Sequence, residues 1–281
     1  MTHPRAASAP TTPAARMPTL FIPHGAGPCF FMDWQPAQAW DKTAAWLASI
    51  PASLPARPSA ILLVTAHWLA DQPSMSSAAQ PGLLFDYYGF PPHTYQLRYP
   101  AAGAPALAQH TSALLTSAGF APRQDAQRGF DHGCFIPLML AFPQADLPVL
   151  QMSLLSSLDA AAHLRLGQAL QPLRQQGVLI IGSGMSYHNM RGYGDPRSAS
   201  VSAAFDQWLS DTVALPEAER NARLADWASA SGPAGRLSHP PRAEEHLLAL
   251  HVAAGAGGDS PGARVFSDRV MGVDISAFRF G

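Results

Sequence analysis

Residues 59–72 read "SAILLVTAHWLADQ". The segment Ile61-Leu62-Leu63-Val64 is apolar at every position, partly β-branched, and follows a stretch rich in Pro, Ala and Ser. A short apolar run without period-two alternation predicts a strand buried on both faces of a sheet. It leads to a histidine, His67, expected at the carboxyl end of the strand. In open α/β sheets the ligand crevice lies outside the carboxyl ends of the strands. A single histidine there reads as a hydrogen-bonded strand cap as readily as a ligand, so recurrence of the pattern decides.

The pattern recurs. "TLFIPHGAGP" reads as a short strand that stops at Pro23-His24-Gly25, and "VLIIGSGMSYHNM" as a strand followed by a Gly-rich turn that delivers His188. Between the first two strands, "FMDWQPAQAWDKTAAWLASIP" places apolar and aromatic residues at near-helical spacing. "APALAQHTSALLTSAG" and "DAAAHLRLGQALQPLRQQ" are amphipathic helices that stop at Gly119 and Gly177. "LPVLQMSLL" is a further strand, and "RAEEHLLALHVAAGA" a helix carrying His246 and His251. Residues 83–100, interrupted by Pro91, Pro92 and Pro100, cannot form a regular helix and read as a long loop over the crevice. Alternating strands and helices predict an α/β fold with a central sheet covered on both faces. One domain over residues 17–281 is expected, after a disordered tail at 1–16.

Composition excludes several classes of function. Of the 281 residues 47% are hydrophobic and only 13% charged, against about 25% charged for an average soluble domain, which describes a globular chain with a large core. The 18 basic and 19 acidic residues give a net charge of -1, and no basic stripe is present. Nucleic acid and anionic membrane are therefore not expected partners. No apolar run approaches the roughly 20 residues of a membrane span. The amino terminus has no apolar segment of a secretory signal, and Cys29 and Cys134 lack metal-site spacing, so a reducing cytoplasm is the expected location.

Histidines at neighbouring strand ends can converge, because adjacent strands lie about 4.8 Å apart. Converging neutral imidazoles suit a divalent transition metal, and ligands from distant strands leave room for a substrate. His132, in "GFDHGCFIPL", reads as metal-bound, catalytic, or paired with a neighbouring carboxylate. His3, His93, His110 and His163 read as tail, loop and helix-surface residues. "GSGMSY" lacks the third glycine of a dinucleotide fingerprint, and Ser183 fits a nucleophile elbow poorly.

The segments "PHGAGP", "VTAHW", "YGFPPHTYQLRYPAAGAPALA", "RGFDHGCFIPL", "GSGMSYHNMR" and "HPPRAEEHLLALHVAAGA", in that order, resemble the 4,5-DOPA dioxygenase extradiol family. That family belongs to the class III extradiol ring-cleaving dioxygenases. The resemblance implies a single α/β domain with a central mixed sheet and one divalent metal per chain. Fe(II) is implied for activity, with Zn(II) as an ion the purified protein could carry. The implied ligands are His24, His67 and His246, with His188 either a fourth ligand or the acid/base. His132 is implied as a second catalytic histidine. Glu245, next to His246, is the rival third ligand, since adjacent helical residues point about 100° apart and do not readily both bind.

The implied reaction opens a catechol, DOPA-like or related, beside its two hydroxyls with O2. His188 takes and returns a proton, and His132 holds a substrate hydroxyl or developing negative charge. Trp68, Tyr87, Tyr88 and Tyr95 are candidates for an aromatic pocket. Two other readings of the same residues are a zinc hydrolase that activates water and a Memo-like binding protein without turnover.

Overall fold

The computed structural model describes residues 16–281; the expected tail, apart from Arg16, lies outside the described residues. The amino-terminal half begins with β1 (Thr19–Pro23), α1 (Asp41–Ser53), β2 (Ala60–Ala70) and β3 (Ser74–Ser76). It continues through α2 (Pro105–Ser117), β4 (Arg123–Asp125), α3 (His132–Ala141), β5 (Val149–Leu155) and α4 (Ala160–Arg174). After β6 (Val178–Gly184) come α5 (Ser198–Val213), α6 (Glu217–Ala225), α7 (Trp227–Ala230) and α8 (Pro233–Ser238). α9 (Glu245–Gly257) and the hairpin β7 (Gly262–Val270) and β8 (Val273–Phe280) complete the chain.

The strands form one mixed sheet in the order β4-β3-β5-β2-β6-β1-β8-β7. Its centre, β5, β2, β6 and β1, is parallel, whereas β8 joins β1 antiparallel and pairs antiparallel with β7. The apolar run of β2 is buried throughout because alternate residues enter two different cores. Leu62 and Val64 pack with residues of α2, α4, α5 and α9, while Ile61 and Leu63 pack with residues of α1 and α3. No helix among the described residues is long and apolar enough to cross a membrane.

Two features of the sheet position the site. β2 does not stop at His67; its pairing with β5 jumps from Val64 to Leu69, and His67 sits inside that irregularity. Such an irregularity re-aims side chains that a regular pleat would send to alternate faces. The second feature explains the glycines of "IGSGM". A Cβ on Gly182 or Gly184 would collide with the carbonyl oxygen of Ala249 or His246, so these glycines let α9 lie directly on β6. The Ser183 hydroxyl between them is fully buried and donates to Gly133 O, which removes it as a nucleophile.

α9 is also held at its far end. The buried Arg174 guanidinium donates to the carbonyls of Ala256 and Gly257, and buried Arg220 donates to those of Ala254 and Gly258. A helix leaves its last four carbonyls without intrahelical partners, and two cations there satisfy them and oppose the negative end of the helix dipole.

Candidate metal centre and active site

Five histidines converge at the carboxyl edge of the parallel strands. His24 follows β1, His67 lies in the irregular part of β2, and His132 is the first residue of α3. His188 is in the loop after β6, and His246 is in the first turn of α9. The ring centroids of His24, His67 and His246 form a nearly equilateral triangle with sides of 4.8, 4.9 and 5.1 Å. The Nε2 atoms of His24 and His67 are 3.3 Å apart. His132 lies against His67 at 3.8 Å between centroids, and His188 stacks on His246 at 3.3 Å. The two additional histidines thus flank the triangle on different members.

Two carboxylates hydrogen-bond two of these rings and lie near two more, while His24 Nδ1 has no partner among the described residues. Asp86 Oδ1 accepts from both Nδ1 (2.8 Å) and the backbone N–H (2.9 Å) of His132, and Asp86 Oδ2 lies 3.7 Å from His67 Nδ1. Glu245 Oε1 accepts from His246 Nδ1 at 2.9 Å and lies 3.6 Å from His188 Nδ1. An ionised carboxylate only accepts, so these contacts put a proton on Nδ1 of His132 and His246, and in His246, kept neutral by burial, they leave Nε2 as a lone-pair donor. The partner of His132 is therefore Asp86 from the 83–100 loop, not the adjacent Asp131.

Asp131 works on the backbone. It caps α3 by accepting from Cys134 N, and Thr65 Oγ1 donates to its Oδ1 at 2.8 Å. Thr65 Oγ1 in turn accepts from His67 N, and Arg128 donates to both His67 O and Asp131 Oδ2. This network ties the irregularity in β2 to the start of α3, and with it His67 to His132.

Burial sets the protonation of the cluster. His24 and His246 are held well below the ordinary histidine value by desolvation, reinforced by the neighbouring imidazoles. Desolvation brings His67 down to about 3, with His132 adding to the effect and Asp86 opposing it. His188 falls to about 3 through desolvation and His239. Asp86 is held below its usual range because the hydrogen bond and charge of His132, with His67, outweigh its own burial. At neutral pH His24, His67, His188 and His246 are free bases, the form that ligates metals.

A cavity of 370 Å³ opens onto all five histidines. None of Trp68, Tyr87, Tyr88 and Tyr95 lines it. The Arg128 guanidinium lies 4.7 Å over the Trp68 ring, buried Tyr87 donates to Thr94 O, and Tyr88 is 91% exposed. The aromatic wall comes instead from Trp34, Trp40, Phe90 and Tyr193. Of the histidines expected to be outside the site, His93 and His110 are exposed, and His3 lies outside the described residues. His163 is not at a helix surface: it is fully buried, and its Nε2 accepts from Leu155 N. His251 is buried against the carbonyls of Leu224 and Leu247.

Comparison with known proteins assigns the family. Residues 18–275 match the model of the catalytic LigB subunit of aromatic ring-opening dioxygenase. A 4,5-DOPA dioxygenase extradiol of Beta vulgaris is 40% identical over 246 residues, covering 86% of this chain and 87% of that protein. The dioxygenase tasH of Hapsidospora irregularis is 41% identical over 236 residues, covering 80% of this chain and 72% of that protein. The crystal structure of an uncharacterised protein of Escherichia coli K12 superposes with a TM-score of 0.73 at 29% identity, covering 95% of this chain and all of the other. The chain belongs to the LigB family of aromatic ring-opening dioxygenases, the class III extradiol enzymes.

Proposed function

We propose that the protein cleaves the ring of a catechol next to its hydroxyl pair with O2, using one divalent metal held by His24, His67 and His246. The observation that carries this reading is the spacing of the imidazoles: ligand atoms of His24 and His67 lie within 4.8 Å of each other and of His132, and the His246 ring centroid lies 5.1 and 4.9 Å from those of His24 and His67. With metal–nitrogen bonds of about 2.1 Å, two nitrogens on one ion lie roughly 3.0 Å apart at a right angle and roughly 3.4 Å apart at a tetrahedral angle. The 3.3 Å between His24 Nε2 and His67 Nε2 fits that range. Three neutral imidazoles suit Fe(II) or Zn(II), and carboxylates on the Nδ1 side of metal-bound histidines raise their basicity and fix their tautomer. Fe(II) is proposed as the active ion, because ferrous iron supplies the redox chemistry through which dioxygen reacts with an aromatic ring.

Glu245 is assigned to orienting His246, since its oxygen is engaged by the His246 Nδ1–H. His188 and His132 stand on either side of the proposed ligand set. His188, unprotonated at neutral pH, stands where it can accept a proton from a catechol hydroxyl and return it as the product forms. Held at about 3 by desolvation, it is a weak base by itself, and a metal bound beside it would supply the needed acidity of the hydroxyl. His132, with Nδ1 committed to Asp86, presents Nε2 to the other hydroxyl. The grouping of His188 with Glu245 and His246 within 4.8 Å supports a second role for His188 as a fourth ligand. Metal content of His188→Ala separates the two roles. Oxygen uptake coupled to formation of a ring-opened product by the Fe(II)-loaded protein tests the function itself.

A further inference from the structure

Whatever sits in the cavity with its two hydroxyls at the histidine cluster must direct its ring substituent toward the opposite wall. That wall is built from Trp34, Trp40, Phe90, Met190, Tyr193 and Met271. Among the described residues that line the cavity there is no Lys, Arg, Asp, Glu, Asn or Gln. The Tyr193 hydroxyl is already used, donating to Tyr187 O. The indole N–H groups of Trp34 and Trp40 are buried without partners and are uncharged donors. The carboxylates near the cluster, Asp86 and Glu245, are engaged by His132 and His246 and carry the wrong sign to hold a carboxylate.

The nearby cations are occupied elsewhere: Arg128 binds His67 O and Asp131, and Arg236 pairs with Glu244. Arg191 is exposed beside Met190, which is itself 62% exposed at the rim, but its side chain does not line the cavity. An ionised substituent entering this wall would lose water and meet no opposite charge, only the neutral indole N–H groups of Trp34 and Trp40, which do not compensate the buried charge. The cavity volume of 370 Å³, toward the small end of the roughly 300–1,000 Å³ typical of ligand pockets, accommodates one ring and a short substituent.

We infer that this enzyme takes catechols whose ring substituent is apolar and uncharged, and discriminates against those bearing a carboxylate or an amino-acid head group such as DOPA. The inference rests on the proposed catechol cleavage and narrows its substrate class. Three catechols of nearly the same shape separate the possibilities: 4-propylcatechol, 3-(3,4-dihydroxyphenyl)propionate and DOPA. With Fe(II)-loaded protein in air, kcat/KM for 4-propylcatechol is expected to exceed the other two by about 100-fold, mostly through KM. Dissociation constants measured without oxygen, from quenching of tryptophan fluorescence, should follow the same order. Met190→Lys, at the exposed rim, should raise kcat/KM for the propionate relative to 4-propylcatechol by about tenfold, as an introduced charge partner would.

Equal or better use of the propionate or DOPA overturns the inference while leaving catechol cleavage intact, and would point to Arg191 as the residue that reaches the carboxylate. Tightest binding of 4-propylcatechol with no turnover of any of the three supports the ligand class and refutes the proposed reaction. Binding of none of the three overturns both.

Discussion

The Nε2 atoms of His24 and His67, from two strands separated in the sheet by β6, face each other at 3.3 Å. One proton can serve both nitrogens, and a divalent ion held here would take the place of that proton. Replacing either residue by Ala should therefore abolish stoichiometric binding of Fe(II) or Zn(II) while circular dichroism stays unchanged. Metal analysis after equilibrium dialysis reads the result. Retention of one tightly bound ion per chain in either variant would remove that residue from the ligand set.

Glu245→Ala should keep a metal stoichiometry near one per chain, with affinity lower by about 10–100-fold as the support of His246 is lost. Complete loss of the ion in this variant, with His246→Ala still binding, would reverse the assignment of the third ligand.

Asp86 accepts from His132 at two positions and lies near His67 Nδ1. Asp86→Asn keeps the size of the side chain but removes the charge and one acceptor. The expected outcome is a fall in kcat of about 10–100-fold with the metal still bound. An unchanged kcat would mean that the orientation of His132 has no part in turnover.

The buried histidines also predict an acid limit to stability. His67 and His188 at about 3, with His163 and His239 at about 4, titrate far below the ordinary 6.5 because burial disfavours their charged forms. Between those values and pH 6.5 the unfolded chain binds more protons than the folded one. The stability from these groups is therefore fully present above about pH 6.5 and lost as pH falls toward 3. Thermal melts of the metal-free protein from pH 7.5 to 4 should show Tm falling steeply below pH 6.5. A flat profile would contradict the buried neutral state of these residues.

Much of the fold could be read locally, because central parallel strands and amphipathic helices carry their signal in adjacent residues. His24 and His188 follow apolar runs and were legible for that reason. His67 was legible as a site residue but not in its setting, since the irregularity in β2 depends on the Thr65–Asp131 contact across 66 residues. The hairpin β7–β8 escaped notice because its edge strand is largely exposed and polar. His246 required the resemblance of whole segments, and His132 stood open among three readings without it, as neither follows an apolar strand.

Asp86 gave no signal, because its hydrogen bonds to His132 form only when the 83–100 loop folds over α3. The cavity wall was misassigned for a related reason. Aromatic residues of that loop were the visible candidates, whereas Trp34 and Trp40 reach the cavity from the segment between β1 and α1. The glycines of "IGSGM" illustrate the opposite case: the motif was visible, but its purpose, the close approach of α9 to β6, belongs to tertiary packing.

Ring cleavage at this histidine cluster is read out by oxygen consumption. The protein is loaded anaerobically with Fe(II), its stoichiometry confirmed, and mixed in air with charged and uncharged catechols while O2 and the absorbance of the yellow ring-opened product are followed together. The account predicts one O2 consumed per product formed with at least one catechol, and none with the His24→Ala protein. Stoichiometric Fe(II) with no oxygen uptake across the set would contradict it.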